Sequence, residues 1–186
     1  SGCMHADWFA GACTLYEADS NVLCTDADGN PITCMALAES AEFIRHDTWH
    51  TLGLRGTGSN DIEALNLFVP DAHVFRFERP IRAGGLYQWP AILCAKMPGI
   101  PLGIARSAIE SVSANWAGKA YIPPHIALAV GEAQAVYASA RAYVFSSLEA
   151  LWAQLEANQK PSENVRAAVV LARANAFQSA RKVVQM

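Results

Sequence analysis

An α+β fold is predicted for this chain of 186 residues: an antiparallel β unit followed by a bundle of long antiparallel helices. Three observations predict it. From residue 8 to about residue 69, short runs rich in β-branched, aromatic and small residues are separated by turn chemistry. Beyond residue 86, apolar positions recur at i, i+3 and i+4, the spacing of one helix face. The breaks between the helical runs are short and marked by proline, which makes successive helices antiparallel neighbours.

In the β unit, strands are expected near 6–16, 43–52 and 62–69. The clearest turn is Asp26-Ala27-Asp28-Gly29-Asn30-Pro31, between the short runs 22–25 and 32–35, and it reads as the loop of a hairpin. In the helical part, Pro98 and Pro101 put the start of the first helix near Leu102, ahead of Ile104, Ala108, Ile109 and Val112. Pro123 and Pro124 separate it from a second helix of about thirty residues, ending near Asn158. Its stripe includes Ala133, Val136, Ala140, Val144, Leu151 and Leu155. Pro161 and Ser162 make a tight connection, with Ser162 placed to cap a third helix carrying Val165, Val169, Ala172, Ala176 and Val183 on one side. The helical pattern is still running at Met186, and Ser1 enters strand-like sequence without a lead-in, so the chain reads as cut at both ends.

The composition narrows the function classes. Hydrophobic residues are 52% and charged residues 17%, as in a packed globular protein. A net charge of −3 with no basic run argues against nucleic-acid binding and against an electrostatic membrane anchor. The longest apolar stretch, 91–105, is interrupted by Lys96, Pro98 and Pro101 and is too short to span a bilayer. The N-terminus lacks a signal-peptide pattern, and a cytoplasmic protein is expected. The five cysteines, Cys3, Cys13, Cys24, Cys34 and Cys94, are odd in number and include no closely spaced pair. Reduced thiols buried on strands are expected, with neither disulfides nor a metal site.

The informative stretch is Trp49-x-x-x-Gly53-Leu54-Arg55-Gly56-Thr57-Gly58-Ser59-x-Asp61, followed by Val69-Pro70. Gly53, Gly56 and Gly58 permit tight turns or close approach of a ligand to the backbone. Arg55, Thr57, Ser59 and Asn60 gather hydrogen-bonding groups suited to an anion or a polar ring. A glycine-rich bulge whose polar side chains satisfy its own loop is the competing reading.

This segment resembles the middle β-domain of acyl-CoA dehydrogenase-like flavoproteins, and is most similar to the hydroxylase components of two-component flavin-dependent monooxygenases. The opening Ser1-Gly2-Cys3-x-His5-Ala6-Asp7-Trp8 is similar to a segment of the same branch, where the serine-glycine lies beside the reactive edge of the flavin ring. The helical segments, entered through Pro98-Gly99-Ile100-Pro101-Leu102-Gly103, are similar to that family's C-terminal helical domain.

The resemblance implies part of a middle β-domain over 1–80 and part of a helical domain over 81–186. It implies FAD or FMN as cofactor, with reduced flavin supplied by a reductase, a small organic or aromatic substrate, and a homo-oligomer formed through the helices. Ser1 and Gly2 match the flavin-contacting position, and Arg55, Thr57 and Ser59 match the glycine-rich motif, whose implied role is either contact with the flavin or support of its site. Where acyl-CoA dehydrogenases proper carry an R-x-x-F-G motif for the flavin pyrophosphate, this chain reads Asn115-Trp116-Ala117-Gly118-Lys119, leaving Lys119 as the candidate phosphate contact. No catalytic residue is assigned: Glu110, Glu132 and Glu149 read as solvated helix positions. His50 reads either as a site residue or as a hydrogen-bonded strand histidine. Two other readings stand beside the monooxygenase. One is an acyl-CoA dehydrogenase, favoured if Arg106 and Arg141 line a groove for a CoA phosphate. The other is a non-catalytic assembly module.

Overall fold

The computed structural model describes residues 2–77, 81–89 and 95–186, which leaves Ser1 and Cys94 outside. The chain forms two compact units, residues 1–79 and 80–186.

The first unit holds two antiparallel sheets. In one, β1 (Trp8–Thr14), β2 (Thr33–Glu39) and β5 (Val74–Phe75) lie in the order β1-β2-β5. In the other, β3 (Ile44–His46) pairs with β4 (Asp61–Glu63). β1 and β2 run opposite each other from Trp8–Glu39 to Thr14–Thr33. Phe9 and Ala38 face each other on the buried side, and the Phe9 ring packs edge-on against Phe43 at 5.1 Å.

Several expectations shift in this unit. The hairpin predicted around residues 26–31 is reduced to one bridge, Thr25–Pro31, while the long ladder joins β1 to β2 across it. Pro31 has no N–H to extend a ladder. Instead Asp26 Oδ1 accepts the N–H groups of Asp28 and Asn30, both at 2.9 Å, and closes a local turn. That turn is tied to the sheet through Ile32 N–H to Cys24 O, Cys24 N–H to Leu15 O and Leu15 N–H to Ile32 O. The strands expected near 43–52 and 62–69 shrink to three residues each. Side chains take over the backbone groups between them: Asn60 Oδ1 accepts from Thr48 and Trp49 N–H, and Thr48 Oγ1 accepts from Asp61 N–H. Of the thiols, Cys3 and Cys34 are buried as expected, Cys24 is half-buried, and Cys13 is exposed.

The second unit is helical: α1 (Gly85–Gln88), α2 (Gly99–Trp116), α3 (Pro124–Glu156) and α4 (Glu163–Gln185). α2 starts three residues earlier than expected. Pro101 sits in its first turn, where backbone N–H groups lack intrahelical acceptors and proline is tolerated. α3 runs for 33 residues. Its buried stripe packs against the small-residue stripe of α4: Ala140 and Val144 meet Ala172 and Ala176, and Leu151 and Leu155 meet Val169. Leu102 and Ala105 of α2 close the same core. Alanine at these positions permits close helix approach with little side-chain entropy lost. Ser162 occupies the N-cap position of α4, yet its hydroxyl does not cap the helix. Gln154 captures it instead, accepting Ser162 N–H at 2.8 Å and donating to Ser162 Oγ at 3.3 Å. Among the described residues, no helix is long and apolar enough to cross a membrane.

Candidate cofactor site

The glycine-rich motif folds as one short 3-10 turn, Arg55–Thr57, bounded on each side by a left-handed residue. Leu54 has φ +56° and Gly58 φ +50°. A branched L-residue in the left-handed region is strained by about 1–2 kcal/mol, and such strain persists only where surroundings enforce it. Here the enforcing group is the Leu54 carbonyl. It accepts Thr57 N–H at 3.1 Å, Thr57 Oγ1–H at 2.8 Å and the Trp49 indole N–H at 3.0 Å. Asn60 fixes the far side of the turn through its bonds to residues 48 and 49. Trp49, Thr57 and Asn60 therefore hold the motif's own backbone, as the competing reading of the motif expected.

The same turn receives the N-terminal segment. Gly2 N–H donates to Thr57 O at 2.6 Å, and the buried Cys3 thiol donates to Gly58 O at 3.0 Å. His5 N–H and Ala6 N–H then both bond Gly2 O at 2.9 Å, so residues 2–6 form a closed turn leading into β1. Gly2 has φ +72°, in the left-handed region that favours glycine, and a Cβ built on it would meet nothing within 4 Å. The same openness holds at Gly56 and Gly58. Ser59 Oγ bonds Thr57 Oγ1 at 2.9 Å, and both residues are half-buried. Bare backbone, two adjacent hydroxyls and few charges suit an uncharged planar ring with polar edges, approached along the backbone.

The candidate residues divide accordingly. Gly2, Thr57 and Ser59 come together in the first unit. Arg55 is exposed on the same turn, and Ser1 lies outside the described residues. Lys119 belongs to the second unit, where its Nζ sits 4.2 Å from the Trp116 ring centroid. His50 is exposed and outside any strand, its Nε2 lying 3.2 Å from Asp47 O. Sequence reasoning missed Cys3 as the residue that anchors one motif to the other, since a lone cysteine before a strand carries no signal of its partner.

In the second unit, Arg106 and Arg141 do line one groove, together with Gln134 and Tyr137. Glu110 occupies the Arg106 guanidinium at 2.7 Å and raises its pKa by that hydrogen bond. The Arg141 guanidinium lies 4.4 Å from the Phe145 ring centroid.

No family model matches the sequence. Curated relatives do. The chain is 30% identical over 129 residues to an indole-3-acetate monooxygenase of Pseudomonas putida, covering 63% of this chain and 33% of that protein. It is 28% identical to HsaA of Rhodococcus jostii, the oxygenase subunit of a flavin-dependent monooxygenase, over 85% of this chain and 41% of that one. Among solved structures, XiaF from a Streptomyces species, in complex with FADH2, matches 99% of this chain and 49% of its own with a TM-score of 0.76 at 20% identity. The chain spans less than half the length of each.

Proposed function

Because the chain is a relative of the oxygenase components of flavin-dependent monooxygenases, proteins of the acyl-CoA dehydrogenase-like fold, we propose that it forms part of a reduced-flavin site in such an enzyme. The observation that carries this reading is the hydrogen bond from Gly2 to Thr57, with the Cys3–Gly58 contact beside it. It brings the two flavoprotein-like motifs, separated by some fifty residues of sequence, onto one open backbone surface.

In this reading Gly2, Thr57 and Ser59 border the isoalloxazine ring, and Arg55, on the same turn, is the cation available to a flavin phosphate. The flavin, FAD or FMN, supplies the electrons that activate dioxygen. The chain's own residues bind, orient and exclude. Gly2 presents backbone without a side chain. The Thr57–Ser59 hydroxyl pair offers one uncommitted acceptor face, and the turn behind them is held rigid by Trp49 and Asn60. The substrate is a small organic, aromatic compound, the flavin is delivered reduced by a separate reductase, and the helices support a homo-oligomer through exposed apolar residues such as Trp152 and Phe177.

The test supplies the chain with FAD or FMN, NADH, a flavin reductase, a panel of phenols and indoles, and ¹⁸O-labelled dioxygen. One labelled oxygen atom in the product supports the reading. A reduced-flavin spectrum unchanged by excess protein, with no labelled product, overturns it.

One observation favours a second reading. The groove holding both Arg106 and Arg141 is of the kind an acyl-CoA phosphate would need. Coenzyme A titrated into the protein distinguishes the two, because Arg141→Ala abolishes binding only in the second reading.

A further inference from the structure

We infer that Cys13 and Cys34 form a cross-strand dithiol that hydroperoxides convert reversibly into a disulfide. The two residues are direct partners in the β1–β2 register. Opposite residues of an antiparallel pair project to the same face, and here it is the face on which Phe9 meets Ala38. The ladder type follows from its two ends. Ser40 N–H bonds Asp7 O, and Leu15 N–H bonds Ile32 O, so the odd-numbered residues of β1 sit in hydrogen-bonded pairs. Such pairs hold their Cα atoms about 5.5 Å apart. Disulfides have a Cα separation of about 5.5–6 Å at the mode.

The pair is asymmetric in access. Cys13 is exposed, and among the described residues its thiol hydrogen-bonds Gly11 O at 3.7 Å, a weak bond that leaves the side chain free to turn. Cys34 is buried beside it on the central strand. Cys3, the other buried thiol among the described residues, is committed to Gly58 O. An exposed thiol that meets oxidant first, next to a sheltered partner, is the arrangement of a peroxidatic and a resolving cysteine.

The chemistry balances with a hydroperoxide as oxidant. The Cys13 sulfur attacks the peroxide oxygen, the O–O bond breaks, and a sulfenic acid forms with release of water or an alcohol. The Cys34 sulfur then attacks the Cys13 sulfur, the S–O bond breaks, and the oxygen departs as water carrying the second thiol proton. Two thiols lose two electrons and two protons, and the peroxide takes both. Cβ atoms across a strand pair stand about 4.5–5.5 Å apart, more than the roughly 3.8 Å of a relaxed disulfide, so the strands must draw together. A bond closed under such strain is readily reduced, which makes the modification a switch and not a permanent staple.

The experiment treats the whole protein with one equivalent of hydrogen peroxide, alkylates the remaining thiols, and maps peptides by mass spectrometry. The expected result is a Cys13–Cys34 linked peptide, 2 Da lighter than its two parts, lost on mild dithiothreitol treatment. Cys13→Ser abolishes it, and Cys34→Ala leaves Cys13 as a trapped sulfenic acid. A protein whose Cys13 pairs with Cys24 or with a second molecule overturns the inference. So does one in which Cys13 passes to sulfinic acid with Cys34 still alkylatable under urea.

Discussion

Leu54 shows how residue-level strain is used in this protein. Its left-handed backbone is held by three donors converging on its own carbonyl, and its side chain is exposed. Leu54→Val places a β-branched residue in that region and is expected to destabilise by about 1–2 kcal/mol in urea unfolding, whereas Leu54→Gly loses nothing. Thr57→Val removes the Oγ1 bonds to Leu54 O and Ser59 Oγ and costs about 1–2 kcal/mol by the same measurement, with a matching loss of ligand affinity. Asp26 gives a pH-dependent case. Bonds to Asn30, foremost from its backbone N–H, with those from Asp28 and Gly29, hold its carboxyl below the usual range. A carboxyl lowered in the folded state contributes stability above its unfolded pKa, and that contribution disappears as pH falls through the folded value. The Asn30 amide resonance is therefore expected to shift below about pH 4, and Asp26→Asn abolishes the transition.

At the scale of elements, the helices were the most legible part, because their apolar period is long and repeated. The stripes read from sequence on α3 and α4 are the ones buried. Leu155 is fully buried between α3 and its neighbours, so Leu155→Ala is expected to cost about 2–5 kcal/mol. Ala176 is equally buried, in one cluster with Ala140 and Val144 of α3, and Ala176→Leu overpacks it by about 1–3 kcal/mol. Thermal unfolding reads both. The strands were less legible for a physical reason. Asn60, Thr48 and Asp26 divert backbone groups that a ladder would otherwise use, and residue type alone does not say which backbone group a side chain will capture. Pro101 and Ser162 taught the same lesson at helix starts: proline is admitted to a first turn, and a capping residue can be claimed by a glutamine from the preceding helix.

For the whole molecule, the two short motifs carried the family reading, and what they left undetermined is how their groups divide between ligand and scaffold. Thr57 and Asn60 looked like ligands in the sequence and spend themselves largely on the turn, while Gly2 gains importance by being bare. The most direct test of the account is an anaerobic titration of the isotopically labelled protein with dithionite-reduced FAD or FMN, followed by amide resonances. Saturable shifts are expected, concentrated at Gly2, Cys3 and the amides of Thr57, Gly58 and Ser59, with affinity weakened at least tenfold by Gly2→Ala. Shifts that spare these residues, or none at all at excess flavin, would contradict it.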